Sequence, residues 1–148
     1  ESAVAAAMLP ARASSYNNLI ASADGRIVNV EGSATDCDLL WATGGATFHT
    51  NSYRSEKMKP FEVATYDPTG SETRCSRAAY YVGKYHGEIG RETCEKFLRD
   101  HVFAPWSICR HSGDSVTVFS AIIDVNEREM WLARGNPCVN PYERLALD

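Results

Sequence analysis

Gly44-Gly45-Ala46-Thr47-Phe48-His49-Thr50-Asn51-Ser52-Tyr53-Arg54 is the stretch on which the reading of this chain turns. Strand-like segments precede it and a long helical pattern follows. Two adjacent glycines let the backbone take positive φ or approach a ligand closely. Asn51 brings a side-chain amide with two N–H donors, the kind of group that can stabilise a developing oxyanion. The same residues also fit a polar loop whose Asn and Thr satisfy nearby backbone groups, and spacing alone favours that plainer reading.

On the N-terminal side, Ser2–Leu9 has the composition of the last turns of a helix, stopped by Pro10. Asn18–Ala21 and Ile27–Glu31 flank Ala23-Asp24-Gly25-Arg26. An Asp-Gly pair between apolar runs is a strong short hairpin signal. Asp38–Ala42 can add a third strand. Beyond the loop, Lys57–Asp67 and its flanking Pro68 read as an irregular excursion, with Pro60 inside it.

On the C-terminal side, Ser71 is placed as the cap of a helix over Glu72–Tyr85, with Cys75, Ala78, Ala79, Val82 and Tyr85 on one face. A second helix is expected over Arg91–Val102, with Cys94, Phe97, Leu98 and Val102 as its apolar positions. Gly87 and Gly90 between them suggest a helical hairpin. Val116–Asp124 and Glu129–Arg134 read as strands turned by Val125–Arg128, with apolar residues on both faces and so cover on both sides. Gly135–Asp148, with Pro137 and Pro141, is expected to run as coil. Strands, then helices, then strands indicate an α+β layered domain.

The chain has 148 residues, 44% of them hydrophobic and 23% charged. That is one domain by size, or part of a larger one, with enough apolar residues for a core. A net charge of −4 without a basic run argues against nucleic-acid binding. No stretch reaches the roughly 20 apolar residues of a membrane span. Five cysteines without a C-x-x-C pair favour reduced thiols over a disulfide framework or a zinc site, and a cytoplasmic setting.

Three constellations could carry chemistry. Asn51 pairs in function with Arg74, whose permanently charged fork could hold a carboxylate or steady a nucleophile; a surface arginine on a helix is the simpler alternative. Cys109-Arg110-His111 sets a thiol two residues from an imidazole, a spacing that could activate a thiol nucleophile, though a structural cysteine beside a surface histidine is the favoured reading. His49, His86, His101 and His111 are scattered, none at i, i+4 to another, and rank last as a metal site.

An ordered set of segments adds weight to the first. Ala13–Leu19 leads into Ala23-Asp24-Gly25, and His49-Thr50-Asn51-Ser52-Tyr53 follows. Then come Arg74-Cys75-Ser76-Arg77, Ser107-Ile108-Cys109-Arg110-His111 and Ala133-Arg134-Gly135-Asn136-Pro137-Cys138. Together they resemble the C-terminal half of the acyl-coenzyme A:aminopenicillanic acid acyltransferase family, cysteine N-terminal-nucleophile hydrolases related to choloylglycine hydrolases and penicillin V acylase. The resemblance implies a four-layer αββα sandwich and cleavage or transfer of acyl groups at linear amide bonds, with no metal or cofactor. It matches Asn51 to the oxyanion-hole asparagine and, less closely, Arg74 to an arginine near the nucleophile. The family's nucleophile is a cysteine freed at the N-terminus, its own amine serving as base; residue 1 here is Glu.

Residues 1–148 are therefore expected to be a single partial domain, its nucleophile-bearing half upstream of Glu1. The expected function is that of the C-terminal portion of a cysteine amidohydrolase or acyltransferase, inactive alone, whose complete form takes a small acyl-amide substrate. The expected partner is the missing half, or a second copy in a homodimer, with sheet faces bearing Val28, Val30, Phe119, Ala121, Ile123 and Trp131 brought together. The alternative is a non-catalytic module of the same fold that associates with itself or a partner.

Overall fold

A left-handed glycine is what the Asp24-Gly25 turn requires, and in the computed structural model Gly25 has φ 86°, closing a hairpin whose register runs from Ala21↔Ile27 to Tyr16↔Gly32. The structure describes residues 2–10, 12–63, 67–113 and 115–146. The chain divides into two compact units, Glu1–Pro68 and Thr69–Asp148. Among the described residues the fold is α+β, with three α-helices and two three-stranded antiparallel sheets. No helix among them is long and apolar enough to cross a membrane.

The first unit contains α1 (Ser2–Ala7) and the meander β1 (Tyr16–Ala21), β2 (Ile27–Gly32) and β3 (Cys37–Trp41). The predicted helix before Pro10 and all three predicted strands are present, with ends shifted by one or two residues. Successive residues of a strand face opposite sides, so β2 sorts its own sequence. Val28 and Val30 face one side and are 2% and 0% exposed. Asn29 and Glu31 face the other and are just as buried, at 1% and 0%. Cross-strand pairing adds Asn17 and Leu19 from β1, and Asp38 and Leu40 from β3, to the Asn29–Glu31 face.

A buried carboxylate is costly unless it is bonded, and Glu31 is bonded several times over. Its Oε1 accepts the Arg54 backbone N–H at 2.6 Å and meets His49 Nε2 at 2.6 Å. Its Oε2 accepts the Ser55 N–H at 3.0 Å. Asn29 donates from Nδ2 to Thr47 Oγ1 at 2.9 Å, and the Ser55 hydroxyl donates to the Asp38 carboxylate on β3. Residues 47–55 are thereby laid across the polar face of the sheet. The segment enters through a tight reversal, a Thr43↔Ala46 bridge with Gly44 and Gly45 at φ 67° and 78°. The expected excursion after the loop includes a short 3₁₀ turn, Lys59–Phe61; residues 64–66 of it lie outside the described residues.

The second unit contains α2 (Thr69–Lys84), α3 (Arg91–Leu98), β4 (Phe119–Asp124), β5 (Glu129–Arg134) and β6 (Glu143–Ala146). Cys75 and Ala78 are buried from α2, as the apolar stripe predicts, while Ala79 is exposed. Tyr81 of α2 meets Phe97 of α3 edge to face, ring centres 5.3 Å apart. Arg77 of α2 bonds the Asp100 carboxylate just beyond α3, Nε at 3.2 Å with Nη2 on the same oxygen.

Five sequence expectations are corrected here. Ser71 is not the cap of α2, which starts at Thr69; Ser71 is buried in its first turn. The second helix stops at Leu98 rather than Val102, because Asp100 Oδ1 accepts the Val102 N–H at 2.7 Å and Phe103 turns to φ 67°, a backbone state outside the α-helix. β4 starts at Phe119 rather than Val116: Thr117 bonds instead to Arg110, and Val118 O accepts the Gly135 N–H at 2.8 Å. The tail is not all coil, since Glu143–Ala146 pairs with β5 as Leu132↔Glu143 through Glu129↔Ala146. Nor is the sheet covered on both sides: Phe119 and Ile123 are 62% and 58% exposed.

Glu31→Ala would leave the His49 ring and the Arg54 and Ser55 amides without their buried acceptor. Removing one member of a buried, hydrogen-bonded pair costs about 3–5 kcal/mol, so the expected result is a loss of that order in urea unfolding. A loss under about 1 kcal/mol would contradict the role given to this carboxylate.

Candidate functional site

His49 is the hinge between the sheet and the loop that holds Asn51. Its side chain is only 6% exposed. Nδ1 donates to the Thr50 carbonyl while Nε2 faces Glu31. A carbonyl can only accept, and a carboxylate that already takes two N–H groups asks the ring for a third donor, so both ends of the imidazole are committed. A ring pinned at both nitrogens cannot rotate, and Asn51 follows two residues later.

Beside this loop lies a cavity of about 210 Å³ lined by Asn17, His49, Thr50, Asn51, Tyr53 and Glu62, among others. Its wall is tied together at several points. The Tyr53 N–H donates to Glu62 Oε2 at 3.0 Å, and the Tyr53 hydroxyl to Gly32 O at 3.1 Å. Asn17 donates from Nδ2 to Asn29 Oδ1 at 3.0 Å. Its own Oδ1 is buried and has no partner among the described residues. Asn51 itself is exposed.

Asp38 secures the far end of the loop. The Ser55 hydroxyl, and after it the Leu39 N–H, hold its carboxyl below the ordinary aspartate value. Lys57 continues the fastening: its Nζ pairs with Asp36 at 2.7 Å and donates to Cys37 O at 2.9 Å.

Arg74 lies in the second unit, half-buried on α2, where Nη1 donates to the Gly70 carbonyl at 2.8 Å. Of the histidines offered as metal ligands, His49 is taken up by Glu31, whereas His101 and His111 do come together, Nε2 to Nε2 at 3.0 Å. Cys109 Sγ is 3.8 Å from His111 Nε2, so the pair expected from the Cys-Arg-His spacing forms. The thiol, however, is 1% exposed, and a nucleophile needs access. Burial, with neighbouring Cys109, raises the Cys138 thiol, and burial raises that of Cys94.

Sequence reasoning passed over Glu31, Asn29 and Asp38. For Asn29 and Glu31 the signal was present as polar residues alternating with apolar ones in Ile27–Glu31, but a polar strand face is ordinarily the solvated one. Glu1, upstream of which the resemblance would put the nucleophile, lies outside the described residues.

A family model described as acyl-coenzyme A:6-aminopenicillanic acid acyl-transferase matches residues 1–138. No curated protein matches the chain.

A depressed carboxyl contributes stability that is present above its unfolded value and is lost as pH falls through its folded value. For Asp38 that places the loss in the acid range below the ordinary aspartate value of about 3.9. Ser55→Ala should return Asp38 towards that value and remove this part of the acid sensitivity, as followed by carboxyl NMR titration. An unmoved Asp38 titration in the variant would show that the hydroxyl is not its principal partner.

Proposed function

The chain belongs to the acyl-coenzyme A:6-aminopenicillanic acid acyl-transferase family, and from that premise we propose that its first unit supplies the oxyanion-binding side of an acyl-transfer or amide-hydrolysing site. The observation that carries this reading is the position of Asn51: it lines a cavity, on a loop held by a buried carboxylate. A donor fixed in advance stabilises charge as it develops without reorganising at the moment of reaction.

In this reading a cysteine thiolate adds to the carbonyl carbon of a linear amide, and the carbonyl π pair moves onto oxygen. The Asn51 amide donates to that oxygen. Collapse of the intermediate expels the amine, whose nitrogen takes up a proton, and leaves a thioester for water or an acceptor amine to resolve. The cavity is smaller than the ~300–1,000 Å³ of a whole ligand site, as expected for one wall of a site.

The attacking thiol is not assigned to this chain's interior cysteines. Cys109 is closed off, and the thiols of Cys94 and Cys138 are raised. The family resemblance assigns attack to an N-terminal cysteine with its amine as base, inside an αββα sandwich. The five free cysteines suit a reducing, cytoplasmic setting.

In the protein that joins these residues to the family's nucleophilic cysteine, Asn51→Ala should lower kcat by about 10²–10³ with little change in KM, because an oxyanion donor acts mainly in the transition state. Steady-state kinetics on an acyl-amide substrate would decide it. An unchanged kcat would reduce Asn51 to a loop residue.

A further inference from the structure

Away from the Asn51 cavity, within the second unit, four side chains converge whose chemistry nothing above uses. They are His101, Cys109, His111 and Cys138. Their ligand atoms all lie within 4.8 Å of one another. His111 Nε2 is 3.0 Å from His101 Nε2, 3.1 Å from Cys138 Sγ and 3.8 Å from Cys109 Sγ, and the two sulfurs are 3.6 Å apart. We propose that these four residues bind one zinc ion as a closed structural site.

The distances suit that ion. Zinc bonds of about 2.3 Å to sulfur and 2.0–2.1 Å to nitrogen imply tetrahedral edges of about 3.8 Å between sulfurs and about 3.3 Å between nitrogens. The observed 3.6 Å and 3.0 Å need adjustments of only a few tenths of an ångström. Two sulfurs and two imidazoles form a borderline-soft set that selects zinc over the hard, oxygen-seeking cations. Four protein ligands complete a tetrahedron and leave no position for substrate, which makes the role structural rather than catalytic.

The backbone brings the ligands together before any ion is considered. His101 follows the turn that ends α3, and the adjacent Asp100 carbonyl accepts the Cys109 N–H at 2.9 Å. Arg99 Nε donates to Pro137 O at 2.9 Å, next to Cys138. Asn136 donates from Nδ2 to Arg110 O at 2.7 Å, and the same nitrogen lies 3.5 Å from Cys109 Sγ. An amide N–H held against a ligating sulfur is an outer support of the kind metal thiolates favour. Two neighbouring turns of the chain and the distant Cys138 segment thus close on one point. Binding there would release the thiol protons to solvent and fasten those segments to each other.

The test uses the intact chain, reduced with a non-chelating phosphine, and cobalt(II) as an optical probe for zinc. One equivalent per chain should give a thiolate-to-cobalt charge-transfer band that zinc abolishes. His101→Ala and Cys138→Ser should each lose the band, Asn136→Ala should weaken binding about 10–100-fold, and His86→Ala should bind as the parent does. His101 is exposed, so its variant decides the matter even if a cysteine variant fails to fold. Absence of the band would overturn the proposal, as would a band that survives both ligand variants. So would a mass two hydrogens light in the chain purified without added oxidant, with Cys109 and Cys138 joined as a disulfide.

Discussion

The Glu31 carboxylate is wholly buried on the central strand of the first sheet, and the arrangement of the first unit depends on how that charge is satisfied. Isolated in an apolar interior it could not stay ionised. It is matched instead by the backbone N–H groups of Arg54 and Ser55 and by His49. Each of those partners lies in one short loop, so a single requirement of burial dictates the path of nine residues. Asn29 to Thr47 and Asp38 to Ser55 secure the loop near its two ends. A loop fixed at several points is a suitable place to present an amide donor, since catalytic donors are most effective when their orientation is settled beforehand.

A similar economy operates in the second unit around Asp100. Burial alone would raise its carboxyl, but bonds from Arg77, the Val102 N–H and Tyr81 together hold it below the ordinary value. Its side chain ends one helix and ties it to another, and its carbonyl receives Cys109. The four-ligand cluster is assembled by main-chain bonds of this kind. That is why Cys138 can meet Cys109 and His111, 29 and 27 positions away, without any motif in the sequence that links them.

Local signals were legible where short-range chemistry decides. The Asp24-Gly25 hairpin, the strands around it and the Cys75–Ala78 stripe follow from turn preference and periodicity, and each is present. Asn51 stood out as an amide beside paired glycines, and it does line a cavity. What could not be read were features fixed by distant partners. The early end of α3 needs Asp100 and a left-handed Phe103. β6 exists because β5 offers it an edge, and Tyr142, just before it, shares a 2.6 Å hydrogen bond with Ser120 on β4. Glu31 looked like a solvent-facing strand residue until the loop folded over it. Cys138 had no visible link to Cys109 or His111, because the chain returns to them only through the turn after β5.

The central claim is that the buried carboxylate, rather than the loop's own sequence, holds the Asn51 segment in place. Amide hydrogen exchange measured residue by residue tests this directly, because it separates local opening from global unfolding. In the parent chain the Arg54 and Ser55 amides should be protected nearly as well as those of β2. In Glu31→Gln they should exchange much faster while the β1–β2 hairpin amides keep their protection. Rapid exchange of Arg54 and Ser55 in the parent, or protection unchanged in the variant, would contradict it.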